Sequence, residues 1–349
     1  MGGDSLLQTR WEYRSFVEAQ RHAADALDHM SQTSLFESFQ WLEALHRHCM
    51  PESAADILHV EEGEARAWLY LAATVGRRRT AISNWYSFGF RPVFNGDPDV
   101  ATRRRLVAAI MQRLAKRVSR INLYPVTADD GTLDLILNAL RSTGWFAVAR
   151  AMGINHFLDI KGRTFAEYWS GRPGAVRTLV KRRGRGDPFA FEVHHAVTDA
   201  LWADYLSIYG KSWKAPEPHY AFLRELADAQ GRAGTLRLGF ARKDGIPVAV
   251  QLWTIDRNVA LIHKLAHDAA FDAQSPGTLL SHYMFREAID RDKVLRIDYG
   301  TGNNAYKLDW MESRRTLYRL DAWNPRFVSA WIPACRSYIS GLVGRLFRR

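Results

Sequence analysis

The chain has 349 residues, more than one hydrophobic core usually supports, so two domains are expected. With 47% hydrophobic and 24% charged residues it has the composition of a globular protein, which excludes disorder over most of its length. A formal charge of +11 calls for an anionic partner, and nucleic acid, an anionic lipid surface and a phosphorylated cofactor are all compatible with it.

In chain order, residues 34–50 are expected to be helical, with Phe36, Phe39, Leu42 and Leu45 at helical spacing. Residues 65–74, 80–87 and 119–124 read as strands, being short and rich in aromatic or branched side chains. Residues 99–118 give a strong helical pattern, with Leu106, Ile110, Leu114 and Val118 on one stripe. A helix over 133–143 then leads into a strand over 145–159. Residues 163–186 differ in character: Arg172, Arg177, Lys181, Arg182, Arg183 and Arg185 surround Leu179 and Val180, as in a basic helix joining two halves. Such a run serves either as a solvated face or as a contact for phosphate or membrane.

From residue 189 the pattern restarts with a strand over 189–195 and helices over 199–210 and 218–229. Strands over 235–242 and 246–255 flank Lys243, Asp244 and Gly245, where Asp-Gly supplies the positive φ of a tight hairpin turn. A strand over 258–266 follows, then a helix that opens at Ser275 and runs to Asp290. A strand over 294–299, a short helix over 303–310 and a strand over 314–320 close the series. This alternation suggests an α/β or α+β layer.

The tail, 325–349, carries Phe327, Trp331, Tyr338, Leu342 and Leu346 mostly at four-residue spacing, with Arg336, Arg345, Arg348 and Arg349 off that stripe. That pattern suits either a cationic amphipathic helix lying in a bilayer interface or a helix packed on the body. Cys49 and Cys335 are too few and too far apart for a disulfide framework or a metal site, so a reducing, cytoplasmic compartment and no metal are expected. Residues 1–14 lack the apolar stretch of a secretory leader, and no apolar run approaches the ~20 residues of a membrane span. A protein that is soluble, or peripheral on the inner membrane face, is the expectation.

Chemistry first shows at Gln274 to Thr278, between a strand and a helix. Ser275 suits the N-cap, Pro276 the first helical position, and Gly277 lets a ligand approach the backbone. The free N–H groups and dipole of such a first turn make an anion site, although Ser-Pro also opens many helices that bind nothing.

A hairpin, a further strand, a helix opened by this turn and then strand and helix follow one another in order. Along them run Arg172-Pro173-Gly174, Ser212-Trp213-Lys214, Leu236-Arg237-Leu238-Gly239, Asp244-Gly245-Ile246-Pro247-Val248-Ala249, Ser275-Pro276-Gly277-Thr278, Ile297-Asp298-Tyr299-Gly300, and Ala305-Tyr306-Lys307 followed by Trp310-Met311. With these motifs the stretch 168–324 resembles the GCN5-related N-acetyltransferase (GNAT) superfamily, in the branch of the cellulose-biosynthesis CelD-like proteins. Residues 36–41 and 84–88 look like that branch's N-terminal half. One departure stands in the pyrophosphate loop, where Gln274 and Gly277 match but Leu279 replaces the last small residue.

The resemblance implies an α/β (α+β) fold of two tandem GNAT-like domains similar to Fem-type transferases. Each would be a mixed, mostly antiparallel sheet flanked by helices, with a C-terminal amphipathic helix beyond them. The expected limits are 1–160 for the first domain, 161–188 for a basic linker helix, 189–324 for the acyltransferase domain and 325–349 for the tail. The implied activity is an acyl-CoA-dependent N-acyltransferase acting on an amine. A lipid amine such as a sphingoid base, as in bacterial ceramide synthases, is the specific expectation, with an anionic membrane surface as partner and DNA as none. Competing readings are an acyltransferase or accessory protein of exopolysaccharide or cellulose assembly, and a Fem-like transferase using aminoacyl-tRNA.

In that frame Tyr306 resembles the proton donor to the departing thiolate, while Asp298 or His263 would take the amine proton. Gln274, Ser275, Gly277, Thr278 and Lys307 would bind the cofactor, and Trp213, Lys214 and Asn303 the substrate. A satisfied core tyrosine, a structural histidine and a surface salt bridge are the ordinary alternatives for Tyr306, His263 and Lys307. Lys264 is expected on the sheet face opposite His263.

Overall fold

The computed structural model describes residues 9–28 and 31–336, so the end of the expected amphipathic tail, 337–349, lies outside the described residues. Two compact units form. One comprises the described residues up to Gly153 together with those from Thr316; the other is Ile154–Arg315. Residues 161–188, expected as a linker, fall inside the second unit.

In the first unit β1 (Thr9–Tyr13) and α1 (Phe16–Ala23) precede α2 (Phe39–Cys49), β2 (Ala54–Glu62), β3 (Ala65–Ala73), β4 (Arg78–Ala81), β5 (Val93–Asn95), α3 (Val100–Ala115), β6 (Arg120–Thr127), α4 (Thr132–Ser142) and the start of β7 (Phe146–Asp159). The strand expected over 80–87 ends at Ala81, and β1, β2 and β5 were not expected. Strand order is β1-β2-β3-β4-β6, with β5 also on β3; pairs are antiparallel except β4 with β6. Leu106, Ile110, Leu114 and Val118 are fully buried, as their stripe predicts. Asp56 on β2 is fully buried and ion-paired with Arg79 and with Arg117 at 2.7 Å.

The second unit begins within β7 and continues through α5 (Phe165–Ser170), α6 (Gly174–Arg183), β8 (Ala190–His194), α7 (Asp199–Gly210), α8 (Tyr220–Arg232), β9 (Leu236–Lys243), β10 (Ile246–Asp256), β11 (Val259–His267), α9 (Pro276–Arg286), β12 (Arg296–Thr301) and the start of β13 (Ser313–Trp323). The single basic helix expected over 163–186 is two helices. Pro173 lacks the N–H that would continue α5 and disfavours helix at the residue before it, so the chain restarts at Gly174. The helix expected over 303–310 is a 3₁₀ turn, Ala305–Asp309.

Strand order here is β7-β12-β11-β10-β9-β8, antiparallel except β11 with β12. The β9–β10 hairpin turns at Asp244 and Gly245, whose φ values of 50° and 80° are the positive ones that Asp-Gly foretold. Helix α9 anchors the core through Leu279, Leu280, Met284 and Phe285, each worth about 1.5–3 kcal/mol of burial.

One irregularity matters for the site. Between Trp253↔Ile262 and Leu252↔Lys264 the β10–β11 register slips, so His263 is an extra residue, a β-bulge. Residues directly opposite share a face, so Lys264 lies on the face of Leu252 and, two residues on, of Thr254. His263 bonds Thr254 Oγ1 through Nε2 at 2.9 Å. His263 and Lys264 therefore share a face instead of opposing one another. Gln251 points to the other face, where its Nε2 donates to Ser281 Oγ of α9 at 2.8 Å.

Candidate functional site

Strands β11 and β12 pair over Val259–Leu261 and Arg296–Asp298, and the register ends there. Beyond it Leu265 and His267 of β11 and Tyr299 of β12 line a groove of about 510 Å³. Its other walls are Ala175, Val176 and Leu179 of α6, the opening of α9 and the turn bearing Tyr306 and Asp309.

The α9 wall contains the turn at which the sequence suggested an anion site. Pro276 stands at the first helical position, while Ser275 sits in the left-handed region (φ 55°) with no side-chain cap bond. Leu279 N is the first to bond back, to Ser275 O at 3.2 Å. The N–H groups of Gly277 and Thr278 have no protein acceptor among the described residues, so the helix presents its positive end to the groove. Ser275, Gly277 and Thr278 all line it; Gln274 does not, its Oε1 accepting from Lys243 Nζ at 2.8 Å. Leu279 is buried where α6 ends against α9, its Cδ2 3.9 Å from where a Cβ on Gly184 would stand. A large residue therefore fits at that departure from the loop pattern.

Tyr306 faces the same groove, 39% exposed, and its ring meets Tyr299 edge-on at 5.7 Å. Burial pushes its phenol above the ordinary range, so it carries its proton at neutral pH. Lys307, expected on cofactor phosphates, is buried. Its Nζ donates to the carbonyls of Tyr299 (3.0 Å), Gly300 (3.4 Å) and Thr301 (2.6 Å), tying the end of β12. All three donors are taken within the chain.

Asp298 is likewise enclosed. One carboxylate oxygen accepts from Asn155 Nδ2 (2.6 Å) and Gly300 N (2.8 Å), the other from Arg315 Nη2 (3.0 Å). A carboxylate so bonded fits a structural role, and Asp298 is not among the residues that line the groove. His263 lies on the far face of β11 from the α9 opening. Burial, then the charge of Lys264, lower its pKa to about 3, so it is neutral and bonded to Thr254. Asn303 is exposed and bonds His156 Nε2 at 3.3 Å, away from the groove lining.

Trp213 does line the groove, its ring tilted by 48° against that of His267 with ring centres 4.4 Å apart. Sequence reasoning missed His267 itself and Asp272, both groove residues, whose Nε2 and Oδ1 lie 2.7 Å apart. A Cβ on Gly277 would stand 2.9 Å from His267 Nδ1, so glycine is what lets the imidazole lie against the first turn of α9. The pairing spans five residues across a 3₁₀ turn, Ala269–Gln274, which no helical or strand spacing signals. Among the described residues no group of three or more His, Cys, Asp or Glu could hold a metal, and no helix is long and apolar enough to cross a membrane.

Residues 174–308 match the family model described as an acetyltransferase (GNAT) domain. Among solved structures the chain is similar to FemX (12% identity, TM-score 0.60, covering 90% of this chain and 97% of that one). It is also similar to the C-terminal domain (DUF2156) of a protein assigned as a lysylphosphatidylglycerol synthetase from Agrobacterium fabrum (15%, 0.58, 94% and 97%). A third likeness is to a tandem GNAT protein from the clavulanic acid biosynthesis pathway (13%, 0.50, 89% and 98%). At these identities the likeness is one of fold, and it agrees with the expected α/β GNAT and Fem-like architecture. No curated protein matches the sequence.

Proposed function

From a chain that carries a GNAT-type acetyltransferase domain over residues 174–308, we propose an N-acyltransferase that moves an acyl group from acyl-CoA to an amine. The observation that carries this reading is that the open first turn of α9 and the Tyr306 side chain line one groove. The amides of Gly277 and Thr278 hold the donor's pyrophosphate, and the gap between β11 and β12 receives its pantetheine arm. The amine attacks the thioester carbon, the C–N bond forms, and the C–S bond breaks with its electrons on sulfur. Tyr306 protonates that thiolate and recovers a proton from solvent, to which the nitrogen gives up one proton before its attack and one after it. No covalent enzyme intermediate is needed.

The charge of +11 and the exposed Val328, Trp331 and Ile332 favour an acceptor at an anionic membrane surface, a lipid amine among the amines. The exposed Lys181 and Arg182 at the end of α6 favour, as the second reading, a donor carried on tRNA.

The test pairs binding with turnover. CoA should raise the melting temperature of the wild type and of Tyr306→Phe alike. Acyl transfer by Tyr306→Phe should fall on the order of 10²-fold or more in kcat. Full turnover in the variant removes Tyr306 as proton donor, and stabilisation by aminoacyl-tRNA but not by CoA favours the second reading.

A further inference from the structure

The Lys214 ammonium, in the second unit, lacks a contacting counter-charge among the described residues. Lys214 follows Trp213 in the turn after α7, and its Nζ stands 5.8 Å from the Tyr209 ring centre and 5.7 Å from that of Trp213. Among the described residues its ammonium makes no hydrogen bond and has no carboxylate within 4 Å. Glu217, the carboxylate whose charge reaches it, is buried and ion-paired with Lys264. Lys307, whose charge also reaches it, is held by three carbonyls. Burial, then Lys264 and Lys307, lower the Lys214 pKa to about 8, with Glu217 opposing, so it is still charged at neutral pH. A desolvated ammonium beside two other cations is unfavourable until an anion joins it.

The location says which reactant supplies that anion. Lys264 is on the Thr254 face of β11, whereas the α9 opening is on the Gln251 face. The charges of Lys264 and Glu217 reach Lys214, whose Nζ lies between the ring of Tyr209 and that of Trp213 at the groove wall, itself outside the groove lining. The donor's phosphates belong at α9, on the other face. We propose that Lys214 binds a compact anion, carboxylate or phosphate, carried by the acceptor itself, so that the acceptor is an amine that also bears a negative group. This rests on the acyl-transfer reading and narrows it, since a plain sphingoid base has no such group.

Isothermal titration of the full chain tests it without requiring turnover. Ethanolamine, O-phosphoethanolamine and β-alanine are titrated, with CoA present, into the wild type, Lys214→Met and Lys214→Arg. The anionic amine that binds, phosphate or carboxylate, should lose about tenfold or more in affinity in Lys214→Met and recover in Lys214→Arg, while ethanolamine changes little. Equal affinity of the binding anionic amine for wild type and Lys214→Met, or failure of both anionic amines to bind the wild type, overturns the proposal. So does a loss confined to CoA, which would place Lys214 on the donor. CoA titrated alone reports on the acyl-CoA reading separately: if CoA does not bind while the Lys214-dependent anion binding persists, the donor assignment fails and the anion site stands.

Discussion

Helices α3 and α9 each join a parallel strand pair, β4 to β6 in the first unit and β11 to β12 in the second, yet they begin in opposite ways. Helix α3 closes its own positive end: Asp99 takes the N-cap in extended conformation and its carboxylate accepts from Thr102 N at 2.7 Å. Helix α9 begins after a left-handed Ser275 that caps nothing, and its first amides face a groove. The same crossover thus yields a helix with a capped first turn in one unit and a helix with open first-turn amides in the other. What distinguishes them is a single side chain at the cap and a glycine two positions later.

The comparison can be broken from either side. The largest effect is expected at the buried ion pairs of Asp56 in the first unit. Asp56→Ala strips the partner from Arg79 and Arg117, and urea denaturation should register a loss of about 3–5 kcal/mol. Burial pushes the Asp56 pKa up, but the hydrogen bonds from Arg117 and Arg79 outweigh it and leave the carboxyl below its ordinary value. Its contribution is therefore complete above the unfolded carboxylate pKa of about 3.9 and fades as the pH falls below it. Wild type and variant should converge in stability under acid; a constant gap down to strongly acidic pH would contradict the assignment.

A smaller effect is expected from giving α9 what α3 has. Ser275→Asp places a carboxylate at the open turn, in a backbone region that aspartate tolerates, and should weaken CoA binding by about tenfold in calorimetry. Undiminished affinity would mean that the turn does not hold the phosphates. The smallest effect is the reciprocal one: Asp99→Ala should lower the melting temperature slightly and leave CoA affinity where it was. A change in CoA affinity there would show that the two helix openings are not functionally separate.

Features carried by local chemistry were legible in the sequence. The Asp244-Gly245 hairpin and the Pro276 helix start depend on backbone preferences of one or two residues, and the buried stripe of α3 on a period. What could not be read depends on partners far along the chain. Strand β2 interrupts its apolar run with Asp56 and His59, both fully buried, and Asp56 is tolerable there because Arg79 and Arg117 arrive from 23 and 61 residues away. Lys307 looked like a phosphate ligand because its carbonyl acceptors on β12 become neighbours on folding, and Asp298 looked like a base because Asn155 and Arg315 are remote in sequence. The His267–Asp272 pair combines an irregular turn with a glycine contact, neither of which has a sequence period.

The extra residue at His263 makes one position of β11 expendable to the groove. Trp253 opposes Ile262 and Leu252 opposes Lys264, so without His263 the pairing would run on unbroken: Lys264 and Ala266 would keep their face, and Leu265 and His267 would keep theirs toward the cavity. A one-codon deletion there would remove the imidazole that meets Thr254 and the added twist of the bulge, and would leave the wall in place. Lineages that lose this residue should therefore retain the groove.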